Sequence, residues 1–269
     1  MDHRRLIFGL LIPLMLGSAQ TVSRAQAAQS PDAPLMYEEP KFLAGAIYSS
    51  DPDKAQLLFN FKRVATRSGS TLKVERDYTY PDGRLAARER VVYEGNALLS
   101  YDLEELQVGA VGFAKIQHPV GNDAKVGGID FEYRKEPGSR PKSRFESLVD
   151  NTLINDMVGP FLVAHWEAFA RAEKVKCRYV VVPRRETVGF SFSKTSDSVW
   201  QGHEVLIVKM EATSPFVATL VDPLFFTIEK APPHRVFQYA GRTTPKINVR
   251  GKWKDLDAVT VFDWATSRR

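Results

Sequence analysis

The sequence predicts a mainly β fold of the α+β class. We expect one large curved antiparallel sheet, or open half-barrel, covered by a mid-chain helical segment (about 144–171) and a short helix (about 215–221). Three observations favour this fold: apolar and polar residues alternate in both halves of the chain, turn signals recur about every 8–12 residues, and helical spacing is confined to two regions. A βαβ fold would need long helices between strands, so an antiparallel sandwich, barrel or strongly curved sheet fits better.

Strand-like alternation is clear in four segments of the first half, at residues 57–62, 72–80, 90–93 and 97–103. In the second of these, Leu72, Val74 and Tyr78 share one side, which is typical of a half-buried antiparallel strand. Residues 80–84 read Tyr-Pro-Asp-Gly-Arg, a turn in which Pro presets φ and Gly accepts a positive φ. We therefore expect a hairpin around this turn.

The second half repeats the pattern in six segments, at residues 175–181, 188–193, 204–210, 224–228, 235–239 and 258–264. The total is roughly nine to eleven strands. Between the two sets, residues 118–142 contain many glycines, prolines and charges, and we interpret them as a loop or a poorly paired hairpin.

Helical signals appear in the middle of the chain. Ser143 and Glu146 have the spacing of a capping box, and apolar residues follow at helical intervals, interrupted by Gly159 and Pro160. These features predict two helical pieces, about 144–157 and 160–171. A third, short helix is predicted from Pro215, because a serine precedes a proline at the first helical position.

Composition excludes several classes of protein. The 269 residues include 43% hydrophobic residues, 37 Lys+Arg against 32 Asp+Glu, and one cysteine, which is typical of a folded globular chain and not of a disordered or collagen-like one. A single cysteine cannot form an internal disulfide or a cysteine-based zinc site. Basic residues are interleaved with acidic ones, so we expect no nucleic-acid partner.

The N-terminus resembles a signal peptide for export. A basic start is followed by an apolar run from Leu6 to Leu16, which is shorter than the roughly 20 residues that span a bilayer. We predict a signal peptide at 1–27, cleaved after Ala27 or else near Ala19, then a flexible leader at 28–40 and a single β-rich domain at 41–269. Two halves meeting near residue 140 are the alternative. The expected location is the periplasm, and the mature chain is not expected to span a membrane.

Catalytic signatures are missing from the sequence. It contains no G-x-S-x-G, H-E-x-x-H, Walker or G-x-G-x-x-G motif in a suitable context. His165, beside Trp166 and two turns after Asp156, is the most interesting histidine. We favour a core-edge histidine bonded to backbone over a catalytic one. Cys177 alternates inward and is interpreted as inert, and we expect no catalytic residue, metal or cofactor.

Aromatic residues are plentiful on the predicted strands. They either pack against one another or line a cavity under the helices that could take an acyl chain. On the second interpretation, the candidate cavity-lining residues are Phe59, Phe61, Tyr78, Tyr93, Met157, Phe161, Trp166, Phe190, Phe192 and Phe226.

The layout resembles a known group of proteins. A signal peptide, a meander through residues 90–95, mid-chain helices and a second meander are similar to the half-barrel envelope proteins typified by the LolA/LolB lipoprotein carriers. The resemblance covers most of residues 40–265 and is architectural, with no motif that transfers residue by residue. It implies a curved sheet that holds acyl chains without catalysis.

Three functions follow as hypotheses. The first is an exported protein that binds an apolar small molecule or lipid, or a lipidated or membrane-bound envelope partner, without catalysis. The second is an envelope hydrolase that uses dispersed carboxylates or His165. The third is a scaffold protein that docks on an envelope complex.

Overall fold

The computed structural model describes residues 41–51, 55–118 and 127–268, and these form one open, curved sheet of fifteen strands. The first eight strands are β1 (Phe42–Ser49), β2 (Leu57–Ser68), β3 (Thr71–Thr79), β4 (Leu85–Glu94), β5 (Ala97–Glu105), β6 (Ala110–Gln117), β7 (Gly128–Arg134) and β8 (Lys142–Ser147). The others are β9 (Thr152–Leu153), β10 (Val175–Val181), β11 (Glu186–Trp200), β12 (His203–Ala212), β13 (Leu224–Glu229), β14 (Val236–Val249) and β15 (Lys252–Arg268).

Within the described residues, three short helices and two 3₁₀ turns accompany the sheet. The helices are α1 (Val158–Ala164), α2 (Trp166–Ala170) and α3 (Pro215–Ala218), and the 3₁₀ turns are Asn155–Met157 and Val182–Arg184. None of the helices in the described ranges has the length and apolar character that a membrane span requires.

The sheet is a meander that begins and ends at its own centre. The chain moves outward from β1 to β8, passes through α1 and α2, and returns from β10 to β15, which pairs with β1. All neighbouring strands are antiparallel except β9 and β10. The strands β8 and β9 therefore form the two edges of the sheet.

The predicted mainly β architecture is confirmed. Every predicted strand segment lies in a strand to within one residue at its ends, although the prediction of nine to eleven strands is too low. The turn before β4 also forms, with the Tyr80 N–H donating to the Arg84 carbonyl at 2.8 Å and the Arg84 N–H donating to Asp82 Oδ1 at 3.0 Å.

The helix predicted at 144–157 is wrong over most of its length. Residues 142–147 form β8 and pair with β7, residues 152–153 form β9, and only Asn155–Met157 is helical, as a 3₁₀ turn. The glutamate of the supposed capping box has a different role: Glu146 Oε2 accepts a hydrogen bond from the Thr187 N–H at 2.8 Å. Pairing with β7 satisfies the backbone groups that a helix would otherwise satisfy. Residues 128–134 are accordingly a well-paired strand, so the prediction of a loop or a poorly paired hairpin over 118–142 is wrong there. Residues 119–126 of that segment lie outside the described residues.

The second predicted helical piece, 160–171, is confirmed as α1 and α2, which meet at His165. The third helix begins at Pro215 as predicted but ends at Ala218, earlier than expected. The predicted signal peptide and leader lie outside the described residues.

Curvature brings the two ends of the sheet into side-chain contact. Glu146 on β8 bonds to Thr187 on β11, and Arg144 Nη1 donates to Glu186 Oε2 at 3.3 Å. The concave face is thus enclosed around α1 and α2. Phe161, Phe169 and Phe192 are fully buried between these helices and the sheet, in the larger of two apolar clusters.

Candidate functional site

A cavity of about 1710 Å³ lies between the concave face of the sheet and its helical cover. Both halves of the sheet contribute to its wall, with Phe61 and Leu103 from one half and Phe190, Met210 and Phe226 from the other. Long strands separate these residues in sequence, and only the curvature of the sheet makes them face the same space.

The cover supplies the remaining wall. Val163 and Trp166 come from α1 and α2, and Val217 and Leu220 come from α3 and the residues after it. Val163 and Leu220 are 39% and 55% exposed, so they border both the cavity and solvent. The mouth of the cavity is therefore partly apolar.

The ten candidate lining residues divide into two groups. Phe61, Trp166, Phe190 and Phe226 lie at the cavity wall. The other six do not line it and are buried in the surrounding core: Phe59, Tyr78, Tyr93, Met157, Phe161 and Phe192. Phe192 shows why, because its ring lies 5.3 Å from that of Phe161 and 6.0 Å from that of Phe226, and so holds the cover against the sheet. Alternation predicts the inward face of a strand but not the depth of the side chain.

A row of charged residues crosses the concave face. Arg63, Arg76 and Glu89 are directly opposite one another on β2, β3 and β4. They are only 2%, 7% and 0% exposed. Leu43 on β1 and Leu103 on β5 continue the row on either side. Charges this deeply buried must be paired, because an isolated buried charge carries a large desolvation cost.

Asp156, in the 3₁₀ turn before α1, pairs with the first of these arginines. Arg63 Nε donates to Asp156 Oδ1 at 2.8 Å, and Nη2 donates to Oδ2 at 3.3 Å. The Tyr93 hydroxyl donates to Oδ2 at 3.0 Å. Burial raises the pKa of Asp156, but the Arg63 and Arg76 guanidinium groups and the Tyr93 hydrogen bond together outweigh burial, and the net pKa is below the ordinary value. Asp156 is therefore an ionised carboxylate.

Glu89 joins the same turn to the other half of the sheet. Its Oε1 accepts from Asn155 Nδ2 at 2.7 Å and also from the Thr244 hydroxyl. Its Oε2 lies 3.2 Å from Arg76 Nη1. The cluster of Arg63, Arg76, Glu89 and Asp156, which we call the buried charge cluster, thus connects the cover to β2, β3, β4 and β14.

Of the four residues in this cluster, the sequence pointed only to Asp156, which it placed two turns before His165. A usable signal was present in the strands. Arg76 has the same parity as Leu72, Val74 and Tyr78, and its side chain is buried with theirs on the inner face of β3. Arginines at inward positions of two neighbouring strands indicate buried positive charges, and each of these needs an acidic partner.

His165 lies at the cavity wall as a backbone-bonded residue. Its Nδ1 is 2.9 Å from the Phe161 carbonyl oxygen, and its ring lies against the Phe161 ring, with 4.2 Å between the centroids and the ring planes tilted by 37°. Asp156, which the sequence suggested as a partner, is committed to Arg63 instead. The geometry is that of the core-edge histidine that the sequence favours.

Cys177 is 5% exposed, and burial raises the pKa of its thiol to about 12. Since the thiolate is the reactive form, we expect negligible reaction of native protein with Ellman's reagent at pH 8 and full reaction in denaturant. Absorbance of the released thiolate measures both rates. Rapid labelling of the native protein would contradict the buried, inert assignment.

Among the described residues, no group of three or more His, Cys, Asp or Glu side chains is arranged to hold a metal ion. The fold and site define a class: a curved antiparallel sheet with a large cavity on its concave face, a wall that is partly apolar and partly charged, and a buried charge cluster at one side. The chain matches no family model, and no curated protein or solved structure is significantly similar to it.

Proposed function

We propose that this protein binds an apolar or lipid-like ligand in the cavity, without a catalytic step. The observation that carries the proposal is the cavity itself, whose volume of about 1710 Å³ lies above the ~300–1,000 Å³ of typical small-molecule pockets. Tightly interlocked aromatic residues would have filled this space. A cavity of this size can accept a long or branched molecule.

The chemistry of the wall supports a ligand with extended apolar parts. Phe190, Met210 and Phe226 present a continuous apolar surface from β11, β12 and β13. Each methylene group moved from water to such a surface contributes about 0.8 kcal/mol. An acyl chain therefore gains affinity in proportion to its length.

The mouth supports the same proposal. Val163 and Leu220 leave apolar surface exposed where the cavity opens, and Phe216 on α3 is 71% exposed nearby in sequence. Exposed apolar surface of this kind is typical of a site that receives an apolar partner. A carrier role in the cell envelope, like that of the LolA/LolB-like proteins, belongs to this proposal.

The mouth provides a test with a matched control. Val163→Glu places a charge beside the bound ligand, whereas Val199→Glu changes an exposed valine outside the cavity wall. We expect V163E to weaken binding of a fluorescent fatty-acid analogue about tenfold, because a polar group desolvated without a partner costs about 1–3 kcal/mol. V199E should bind like the wild type. Fluorescence titration measures both affinities.

Two results would contradict the proposal. One is the absence of saturable binding of the analogue to the wild type, with no displacement by phospholipid or fatty acid. The other is equal weakening in V163E and V199E, which would place the probe on the outer surface. The hydrolase and scaffold hypotheses stay predictions. His165 is the residue to replace in a test of the hydrolase hypothesis.

A further inference from the structure

Within the proposed function, on which this inference rests, we propose that Arg76 binds the polar end of the ligand. We propose further that this end is an uncharged hydrogen-bond acceptor, the carbonyl oxygen of an ester or amide, and not a free carboxylate. The ligand class is then an acyl ester or acyl amide.

The first argument is an unsatisfied donor. Arg76 lines the cavity and is 7% exposed. Within the described ranges, its Nε and Nη1 atoms have no hydrogen-bond acceptor. Nη1 lies 3.2 Å from Glu89 Oε2 and forms an ion pair with it, but neither of these two atoms makes a hydrogen bond. A buried donor without an acceptor carries a desolvation penalty that an acceptor oxygen from a ligand would remove.

The second argument is a contrast between the two buried arginines. Arg63 places two nitrogen atoms on the Asp156 carboxylate, at 2.8 and 3.3 Å, so its guanidinium is committed to the protein. Arg76 lies directly opposite Arg63 on the next strand, and its ion pair with Glu89, at 3.2 Å, includes no hydrogen bond from Nη1. The site therefore satisfies the donors of one arginine with a carboxylate and leaves donors of the other without an acceptor.

The third argument is charge balance. Two arginines and two carboxylates cancel within the buried charge cluster, all four being less than a tenth exposed. A ligand carboxylate beside Arg76 would give this cluster a net negative charge, which burial disfavours. A carbonyl oxygen satisfies Arg76 and leaves the cluster neutral. Tyr101 and Tyr179, which also line the cavity, stay neutral because burial raises the pKa of each hydroxyl.

The surroundings of Arg76 fix the rest of the ligand. The Arg76 guanidinium carbon lies 5.2 Å from the centre of the Phe61 ring, and both side chains line the cavity. Leu103 lies one strand beyond Glu89 in the same row. Apolar surface therefore begins next to the donor, as a chain attached to a carbonyl requires.

The test compares three competitors with chains of equal length: methyl palmitate, palmitate and hexadecane. Each displaces a fluorescent apolar probe from the wild type, from Arg76→Lys and from Arg63→Lys. R76K keeps a positive charge beside Glu89 but removes the Nε donor and the planar fork. R63K makes the same change at the committed arginine and serves as the matched control.

We expect the wild type to bind methyl palmitate at least about tenfold more tightly than hexadecane, the effect of one hydrogen bond to a charged donor. It should also bind the ester more tightly than palmitate. R76K should bind ester and alkane within about twofold of each other, whereas R63K should keep the preference for the ester. If R76K does not fold, the double variant Arg76→Gln, Glu89→Gln, which removes both charges together, is used in its place.

The outcomes separate the two proposals. Failure of all three competitors on the wild type overturns both the proposed function and this inference. Binding of hexadecane without a preference for the ester, or an ester preference that survives in R76K, overturns the Arg76 inference alone. Tighter binding of palmitate than of its ester overturns the assignment of an uncharged polar end.

Discussion

Replacing Asp156 by asparagine is expected to lower the free energy of unfolding by about 3–5 kcal/mol, because it leaves the Arg63 guanidinium buried without its counter-charge. For a chain of this size that corresponds to a fall of roughly 6–20 °C in Tm. Denaturant titration followed by circular dichroism measures the change. The substitution keeps the shape of the side chain, so loss of volume cannot account for the effect.

Two further variants test whether the loss of stability comes from the unpaired Arg63 charge. Glu173→Gln removes an exposed carboxylate that is 2.7 Å from Arg171, and should leave Tm unchanged. The double variant Arg63→Met, Asp156→Leu removes both buried charges and should recover most of the lost stability. A D156N protein as stable as the wild type would show that this ion pair does not hold the cover in place.

The same carboxylate predicts the response to acid. Because the folded-state pKa of Asp156 is below its unfolded value of about 3.9, its contribution is present above that pH and disappears as pH falls through the folded-state pKa. The difference in stability between the wild type and D156N should therefore narrow on going from pH 7 to pH 3. An unchanged difference would contradict the pKa assignment.

Phe192→Ala is expected to cost about 3–5 kcal/mol of stability, the range for a buried phenylalanine reduced to alanine. Phe192 is fully buried and contacts aromatic rings from three directions, with ring centroids 5.3 Å from Phe161, 6.4 Å from Phe169 and 6.0 Å from Phe226. Its loss removes the packing that joins α1 and α2 to the sheet. Thermal and denaturant unfolding measure the cost.

Phe216→Ala is the matched control, since Phe216 is 71% exposed and its truncation should change stability by no more than about 0.5 kcal/mol. Equal effects of the two substitutions would contradict the placement of Phe192 between cover and sheet. A large effect for F192A alone supports the distinction between aromatic residues that hold the core together and those that line the cavity.

The helix that the sequence predicts wrongly shows where local patterns fail. Ser143 and Glu146 fit a capping box, yet the segment is an edge strand whose glutamate bonds to Thr187, which is 41 residues away. Local spacing describes what a segment can form in isolation. The strand β7 and the Thr187 N–H are partners that only the folded chain brings near.

The residues predicted for the candidate site also divide into those that local alternation placed correctly and those whose position depends on the folded chain. Alternation placed Phe61 and Phe190 on inward faces, Phe226 was placed on a predicted strand, and all three lie at the cavity wall. Phe59 and Phe192 show the same alternation but lie in the packed core, because the depth of a side chain depends on which strands curve toward which helices.

The sequence by itself determined the class of fold, the positions of most strands and the inward side of several of them, because these depend on a period of two along short segments. Only the tertiary structure decided that the aromatic residues leave a cavity and that Arg63 and Arg76 face it beside Glu89 and Asp156. The physical reason is that the volume of a cavity and the pairing of buried charges depend on distances between residues far apart in sequence, and such distances are set by the curvature of the whole sheet.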